Sequence, residues 1–229
     1  MGGKLDFEWF SDPLLLYALG LATLLFGGIF ILILTIVVKH GRRLRSEKIQ
    51  NDFTLLLHKA KACHEESKDF QQQISNINSL IHNHKKDVTY GWVRLLEQTS
   101  KSERAPYIAI AMYTNMMRCI PHCLNDSGMA EKCIALEAIG LSHFHEYAKE
   151  AKRYSEQPGL APYACIALAR LIGKESLPQI IESYKKSALS TTQALAAIVE
   201  IPQTEVFDYI KNTNNQAFPK QLCHYLEIA

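Results

Sequence analysis

The chain has 229 residues, of which 48% are apolar, so it is long and apolar enough to bury a sizeable core. Glycine (11) and proline (8) are sparse, which excludes a fibrous or disordered protein. The formal net charge is only +2, and residues 49–229 carry as many acidic as basic side chains. Nucleic-acid binding needs clustered Lys and Arg against phosphate, so the composition argues against that class of partner.

An uncharged apolar segment over residues 14–38 is the strongest signal in the sequence. As a helix it would extend about 37 Å at ~1.5 Å per residue, enough to cross a ~30 Å hydrocarbon core with some tilt. The apolar region of a signal peptide is shorter, about 7–15 residues, and no small-residue cleavage site follows this segment. We therefore predict a retained transmembrane helix over residues 14–38.

The flanking charges predict the orientation of this helix. Residues 39–48 contain five basic residues and one acidic residue, whereas residues 1–38 carry a net charge of −2. Because cytoplasmic flanks collect Lys and Arg, residues 1–13 should form a short extracytoplasmic N-terminus and the rest of the chain should lie in the cytoplasm. The basic run either sets the topology alone or also contacts anionic lipid headgroups.

Residues 39–103 are predicted to form a juxtamembrane helical region. The membrane helix should continue past the bilayer, with an apolar stripe at Phe53, Leu56, Leu57, Ala60 and Cys63. A second helix is indicated by the same spacing of Phe70, Ile74, Ile77 and Ile81. A third should run over about 88–99, with Trp92, Leu95 and Leu96. Narrow apolar stripes of this kind are typical of helices that pack on one side only.

Short fragments recur in the alanine-rich sequence after residue 104. Residues 105–112 are echoed by 161–168, and residues 135–140 by 167–173, with a weaker third copy at 194–199. The glycines that close the second pair of fragments lie 33 residues apart, within the range of periods found in solenoid repeats. Each fragment is followed by a second amphipathic segment, which predicts stacked pairs of helices.

Residues 162–188 resemble a HEAT-like repeat, because an Ala-Leu-rich helix ending in Ile172-Gly173 precedes a short polar turn and a Leu-Pro-x-x-Ile helix. Residues 133–153 and 193–211 are similar to it more distantly, and the second has Glu200-Ile201-Pro202 in place of the glycine. The resemblance covers about 104–229. It implies a HEAT-like repeat domain built as an α-α superhelix, a fold that usually binds proteins.

The cysteines do not form a convincing site. In a cytoplasmic domain they would be reduced, and structural disulfides are rare there. The densest cluster is Cys119-Ile120-Pro121-His122-Cys123, but structural zinc needs four ligands and no second Cys or His pair lies nearby. A helix end at Pro121 with packed thiols is the favoured interpretation. The six cysteines are Cys63, Cys119, Cys123, Cys133, Cys165 and Cys223.

The histidines also lack the spacing of a metal site. On a helix, the side chains of His82 and His84, or of His143 and His145, would point in nearly opposite directions. The segments that start at His64 and His145 begin like the zinc-protease motif, but Lys stands where the second histidine ligand is needed. We predict no catalytic, cofactor-binding or metal-binding residue, and no cofactor.

The sequence thus predicts an all-α protein with a single transmembrane helix followed by an α-α superhelix of HEAT-like helix pairs. The predicted function is a non-enzymatic adaptor that presents its solenoid to protein partners at the cytoplasmic face of a cell inner membrane, in contact with the bilayer and not with nucleic acid. A bacterial envelope assembly for polysaccharide export or secretion is the expected setting. The alternatives are a membrane-tethered enzyme or small-molecule-binding helical domain, and a regulated signalling protein.

Overall fold

The computed structural model describes residues 13–125, 128–212, 218, 219 and 222, and within them the regular elements are helices, with no strand. The prediction of an all-α protein is therefore confirmed for this part of the chain. The helices are α1 (Pro13–Ala62), α2 (Lys68–Asn83), α3 (Lys85–Gln98), α4 (Ala105–Tyr113), α5 (Cys119–Asn125), α6 (Met129–Ser142), α7 (Ala148–Tyr154), α8 (Ala161–Ile172), α9 (Leu177–Lys185), α10 (Thr191–Ile198) and α11 (Gln203–Asn212). The chain divides into two compact units, Met1–Lys48 and Ile49–Ala229.

The first unit contains the N-terminal part of α1. Among the described residues, α1 is the one helix that is long and apolar enough to cross a membrane, and none of its most apolar stretch is buried. The hydroxyls of Thr23 and Thr35 donate to the carbonyl oxygens of Leu19 and Ile31, at 2.7 and 2.8 Å. Both polar side chains are thus satisfied within the helix, as an apolar environment demands.

The second unit begins with the C-terminal part of α1 and two amphipathic helices. Phe53, Leu57 and Ala60 of α1 are buried, and Cys63 lies just beyond the end of the helix. In α2 the predicted apolar stripe is confirmed, because Phe70, Ile74, Ile77 and Ile81 are all buried. The hydroxyl of Ser67 caps this helix by accepting a hydrogen bond from the backbone N–H of Phe70 at 3.0 Å.

Helix α3 spans residues 85–98 where the sequence predicted about 88–99, and its apolar face packs on later parts of the chain. Trp92 is fully buried, and its indole Nε1 donates to the hydroxyl of Ser142 in α6 at 2.8 Å. This bond satisfies the polar end of the largest core side chain. It also joins the amphipathic helices to the alanine-rich part of the second unit.

The core runs through three consecutive hydrophobic clusters. The first joins the end of α1 and α2–α4 to one side of α6, the second lies between α5, α6, α7 and α8, and the third between α8 and α9–α11. Helices α6 and α8 each contribute to two clusters, and the main packing between helices follows the order α3, α6, α8, α10. Alanine and glycine make the α6–α8 approach close: a Cβ added to Gly140 would lie 2.9 Å from the Cα of Ala167.

Several interactions between elements join residues thirty positions apart. The hydroxyls of Tyr147 and Tyr154 donate to backbone carbonyl oxygens of Met117 and Leu124. Lys186 pairs with Glu156, and Arg170 with Glu200, at the same interval. The residues that end α6 and α8, His143 and Gly173, are also thirty apart and both have φ of 53°. Four contacts between elements thus share a separation of thirty residues.

The recurring fragments occupy related places, but their glycines do not. Residues 105–112 and 161–168 both start a helix, α4 and α8, with proline in its first turn. Gly140 lies inside α6, against α8, whereas Gly173 ends α8 in a positive-φ conformation that suits glycine. The two glycines that lie 33 residues apart therefore have different structural roles and are not equivalent positions of a repeat.

Candidate functional site

Two adjoining cavities form a groove beside the C-terminal ends of α6, α8 and α10. Lys101 and Glu200 line both of them, so the two cavities meet at these side chains. One, of about 310 Å³, we call the cationic cavity, and its other lining residues are Arg104, Ala105, Ile108, Gly140, Leu141, His143 and Arg170. The second, of about 520 Å³, we call the apolar cavity, and its other lining residues are Ile198, Val199, Ile201, Pro202, Gln203, Val206 and Phe207.

The ends of the helices place the polar residues of the groove. Helix α6 ends at His143, whose left-handed backbone turns the chain away and whose Nδ1 lies 3.1 Å from the carbonyl oxygen of Arg170. Since a carbonyl oxygen only accepts, Nδ1 carries the proton of this bond. Helix α10 ends immediately before Val199 and Glu200, and Pro202 leads into α11. Lys101 projects from a short 3₁₀ turn, Lys101–Glu103, between α3 and α4.

Glu200 is the carboxylate on which the basic residues of the groove converge. Nη2 of Arg170 donates to Glu200 Oε1 at 2.7 Å, with the two side chains 21% and 22% exposed. Nζ of Lys101 lies 3.9 Å from Glu200 Oε2, and the Lys101 side chain is 84% exposed. The hydrogen bond from Arg170, opposed by partial burial and assisted by the charges of Arg170, Lys101 and Arg104, lowers the pKa of Glu200. Glu200 is therefore ionised near neutral pH.

A second carboxyl group, that of Glu137, interacts electrostatically with Arg170. Burial raises the pKa of Glu137 in α6 to about 7, and the charge of Glu97 in α3 and a hydrogen bond with that residue act in the same direction. The charge of Arg170 opposes this increase. The charge of Glu97 adds to the cost of ionising a buried carboxyl group, so Glu137 is partly protonated near neutral pH.

Arg170 therefore interacts with one ionised and one partly protonated carboxyl group. Its Nη2 is paired with Glu200, whereas its Nη1 is buried and has no hydrogen-bond partner among the described residues. A guanidinium can bind two oxygens side by side, so this arginine retains donor capacity. The groove thus combines a partly engaged guanidinium, an exposed lysine and an apolar cavity.

The histidines were excluded as a metal site on the assumption that each pair lies within one helix, and the structure shows that this assumption is wrong. His84 lies between α2 and α3 and His143 ends α6, so neither pair of histidines lies within one helix. His82, His84 and His122 instead line one cavity of about 330 Å³, together with Lys85, Lys86 and Asp87. Even so, no group of three or more His, Cys, Asp or Glu side chains in the described part of the chain is placed to hold a metal ion.

The cysteines of the described residues are free, and several are buried. Pro121 lies in the first turn of α5, so it marks the start of that helix, and Cys119 and Cys123 on either side are packed in the core. Burial raises the pKa of Cys119 to about 12 and that of Cys165 to about 11. Such thiols are inert, because the thiolate is the reactive form. Cys223 lies outside the described residues.

No known protein family, no curated protein and no solved structure matches this chain. The function therefore has to be inferred from the geometry of the molecule itself.

Sequence reasoning missed the groove. Lys101, Arg170 and Glu200 come from distant parts of the chain, and each resembles an ordinary surface residue in a protein with balanced charge. A local signal could have pointed to Arg170 and to its neighbour Glu137. Each of these two residues interrupts an otherwise apolar run that forms the buried face of a helix. Charged side chains at such positions are rarely buried unless they are paired.

Proposed function

We propose that this chain is a non-enzymatic, membrane-anchored adaptor. In this proposal α1 crosses a cell inner membrane with the N-terminus outside, and residues 104–229 form a HEAT-like solenoid of helix pairs in the cytoplasm. The groove beside α6, α8 and α10 receives a protein partner. Tethering to the bilayer confines the meeting to the membrane surface and raises the effective concentration of the partners.

The observation that carries the anchor is the exposure of α1. Its apolar stretch is long enough to cross a bilayer, and none of it is buried by the rest of the protein. A core helix of a soluble protein would have its apolar face covered, and so large an exposed apolar surface is unfavourable in water. Lipid covers it at no such cost, and the basic residues 39–48 favour a cytoplasmic location for the C-terminal side.

The solenoid is supported by the way the second unit packs. Its core passes from cluster to cluster along the chain, and helices α3, α6, α8 and α10 pack on one another in that order. Hydrogen bonds that recur at an interval of thirty residues fit a stack of similar units, each of which buries its apolar side on its neighbours. Solenoids of this kind commonly bind proteins along an extended surface.

The anchor is tested by fractionation of the full chain and by topology reporters. We expect it to stay in the membrane pellet after extraction at alkaline pH. A C-terminal fluorescent-protein fusion should fluoresce, and a C-terminal alkaline phosphatase fusion should be inactive. A chain that is released by alkaline extraction, or a mature protein that lacks residues 14–38, would contradict the proposal.

Partner binding is tested by site-specific photo-crosslinking in native membranes. A benzophenone amino acid replaces Val199, which is 75% exposed in the apolar cavity. The matched control replaces Met129, an exposed apolar residue that lines neither cavity of the groove. We expect a discrete crosslinked protein from position 199 and none from position 129. Equal labelling from both positions would indicate non-specific contact and would contradict a docking role for the groove.

The raised pKa of Glu137 is the observation that favours the alternative, a membrane-tethered enzyme or ligand-binding domain, since perturbed carboxyl groups are frequent in active sites. Glu137 lines neither cavity of the groove, which gives the adaptor the better support. Turnover of a small molecule by the purified full chain, abolished by Glu137→Gln, would favour the enzyme instead.

A further inference from the structure

The two cavities of the groove share Lys101 and Glu200 and differ in their other lining residues. The apolar cavity presents a set of aliphatic and aromatic side chains, including Val199 and Phe207, and its volume of about 520 Å³ falls in the range of ligand sites. The cationic cavity begins at the same Lys101 and Glu200 and carries Arg104 and Arg170. An occupant that fills both must therefore place an apolar group beside a group that suits the cationic end.

The charge of the cationic cavity specifies an anion. Among the described residues that line it, three are basic, Lys101, Arg104 and Arg170, and one is a carboxylate, Glu200. Glu137 interacts electrostatically with Arg170, and its pKa of about 7 keeps it partly uncharged at neutral pH. The cavity as a whole is thus complementary to a negatively charged group.

The donors available in this cavity favour a carboxylate. Arg170 contributes positive charge, since its Nη1 is buried and its Nη2 holds Glu200 at 2.7 Å. Lys101 is highly exposed and its Nζ lies as far as 3.9 Å from Glu200, so its ammonium group can turn to an incoming anion. A lysine forms a charge-assisted hydrogen bond with a carboxylate.

We propose that the groove binds an extended segment of a protein partner that carries an apolar side chain followed closely by an Asp or Glu. The apolar side chain enters the apolar cavity, and the carboxylate contacts Lys101 in the cationic cavity. A nucleic acid would offer phosphates without the apolar group, and the balanced charge of residues 49–229 does not favour one. This inference rests on the adaptor function proposed above and adds the chemistry that the partner must have.

The test is a selection of random peptides on the full chain in nanodiscs. We expect enrichment of peptides in which a large apolar residue precedes Asp or Glu by a few positions. A synthetic peptide of the enriched sequence should bind, by fluorescence anisotropy, at least tenfold more tightly than the same peptide with Asn or Gln in place of its acid. Raising the salt concentration should weaken the binding of the acidic peptide more than the binding of its amide counterpart.

Variants of exposed residues test the site without threatening the fold. Lys101→Glu should reduce binding of the acidic peptide several-fold and shift the selection toward basic peptides, and Val199→Asp should remove the apolar preference. The matched control is Lys149→Glu, an exposed lysine on α7 that lines neither cavity and should leave binding unchanged. Circular dichroism and the thermal midpoint of each variant verify that it is folded.

The outcomes separate this inference from the proposed function. A partner that crosslinks to position 199, together with selected peptides that lack an acid or that bind Lys101→Glu equally well, would overturn the inference and leave the adaptor standing. No crosslinked partner and no enriched peptide would overturn both. Enrichment of acidic peptides that is lost in Lys101→Glu and retained in Lys149→Glu supports both.

Discussion

Replacing Gly140 by alanine tests the close packing of α6 on α8. The new Cβ would lie 2.9 Å from the Cα of Ala167, and 3.3 Å from both the Cβ of Ala167 and the Cδ of Arg170. The nearest of these atoms belongs to the backbone of α8, so no side-chain rotation relieves the clash. The two helices have to separate, and Arg170 in the groove has to move with α8.

Two opposing effects set the size of the change in stability. Alanine in place of glycine inside a helix stabilises by about 0.5–1 kcal/mol, because the unfolded chain loses less backbone freedom. Overpacking of a well-packed core costs about 1–3 kcal/mol, and a clash with backbone belongs in the upper part of that range. We expect Gly140→Ala to lower the free energy of unfolding by about 1–2 kcal/mol. For a unit of this size, that corresponds to a fall in Tm of about 2–8 °C.

The assay is thermal unfolding of the full chain in detergent, followed by the fluorescence of the buried Trp92. The chain contains two tryptophans, so the comparison is made in a Trp9→Phe background in which Trp92 alone reports. Gly41→Ala is the control, since a Cβ at Gly41 on α1 meets no atom within 4 Å and should not lower the Tm. A second variant combines Ala167→Gly with Gly140→Ala. It removes the side chain of Ala167 but leaves the backbone of α8 in the way and places a glycine inside that helix, so it should not restore the Tm of the parent.

A Gly140→Ala protein at least as stable as its parent would refute this reasoning, because it would mean that helix propensity outweighs the close approach of α6 to α8. Full rescue by Ala167→Gly would refute a narrower part of it. The side chain of Ala167 would then be the obstacle, and the backbones of the two helices would have room to approach.

Two further predictions concern buried polar groups. Ser142→Ala should lower the free energy of unfolding by about 1–3 kcal/mol in urea titrations followed by circular dichroism, because it leaves the indole N–H of Trp92 buried without its acceptor, and an unchanged midpoint would argue against the bond. Glu137→Gln should be more stable than the parent by about 1–2 kcal/mol at pH 8, a figure reduced from the full shift because the group is partly exposed. The pKa of Glu137 is higher in the folded than in the unfolded state, so the parent should lose stability as the pH rises from about 4.5 to 7. Glu137→Gln should not lose stability over this pH range. If the free energy of unfolding of parent and variant depended on pH in the same way, Glu137 would be excluded as the source of the loss.

Hydrophobic periodicity predicted the amphipathic helices well. The stripe of Phe70, Ile74, Ile77 and Ile81 needs only a helix with one buried side, and the structure buries all four residues. The boundaries were less accurate, since α3 starts at Lys85, three residues before the predicted position. That start depends on the turn at His84, whose conformation no apolar spacing specifies.

The apolar fragments after residue 104 predicted helices but not how those helices pair. Gly140 and Gly173 look alike in the sequence, yet one allows two helices to approach and the other ends a helix. Deciding between these roles requires knowing which residue faces a neighbour, and that information is not local. The interval of thirty residues becomes visible only through side chains that reach across elements, such as the hydroxyls of Tyr147 and Tyr154.

The Arg170–Glu200 pair is better explained by binding than by stability. A partly buried ion pair gains Coulomb energy but loses the hydration of both charges, and an apolar pair of similar volume often stabilises a protein as well. Burial of Arg170 is more costly still, because its Nη1 has no partner among the described residues and Glu137 beside it is driven toward its neutral form. In the binding proposal, Glu200 holds the guanidinium in place, and the exposed ammonium group of Lys101 meets an acidic group that arrives from outside.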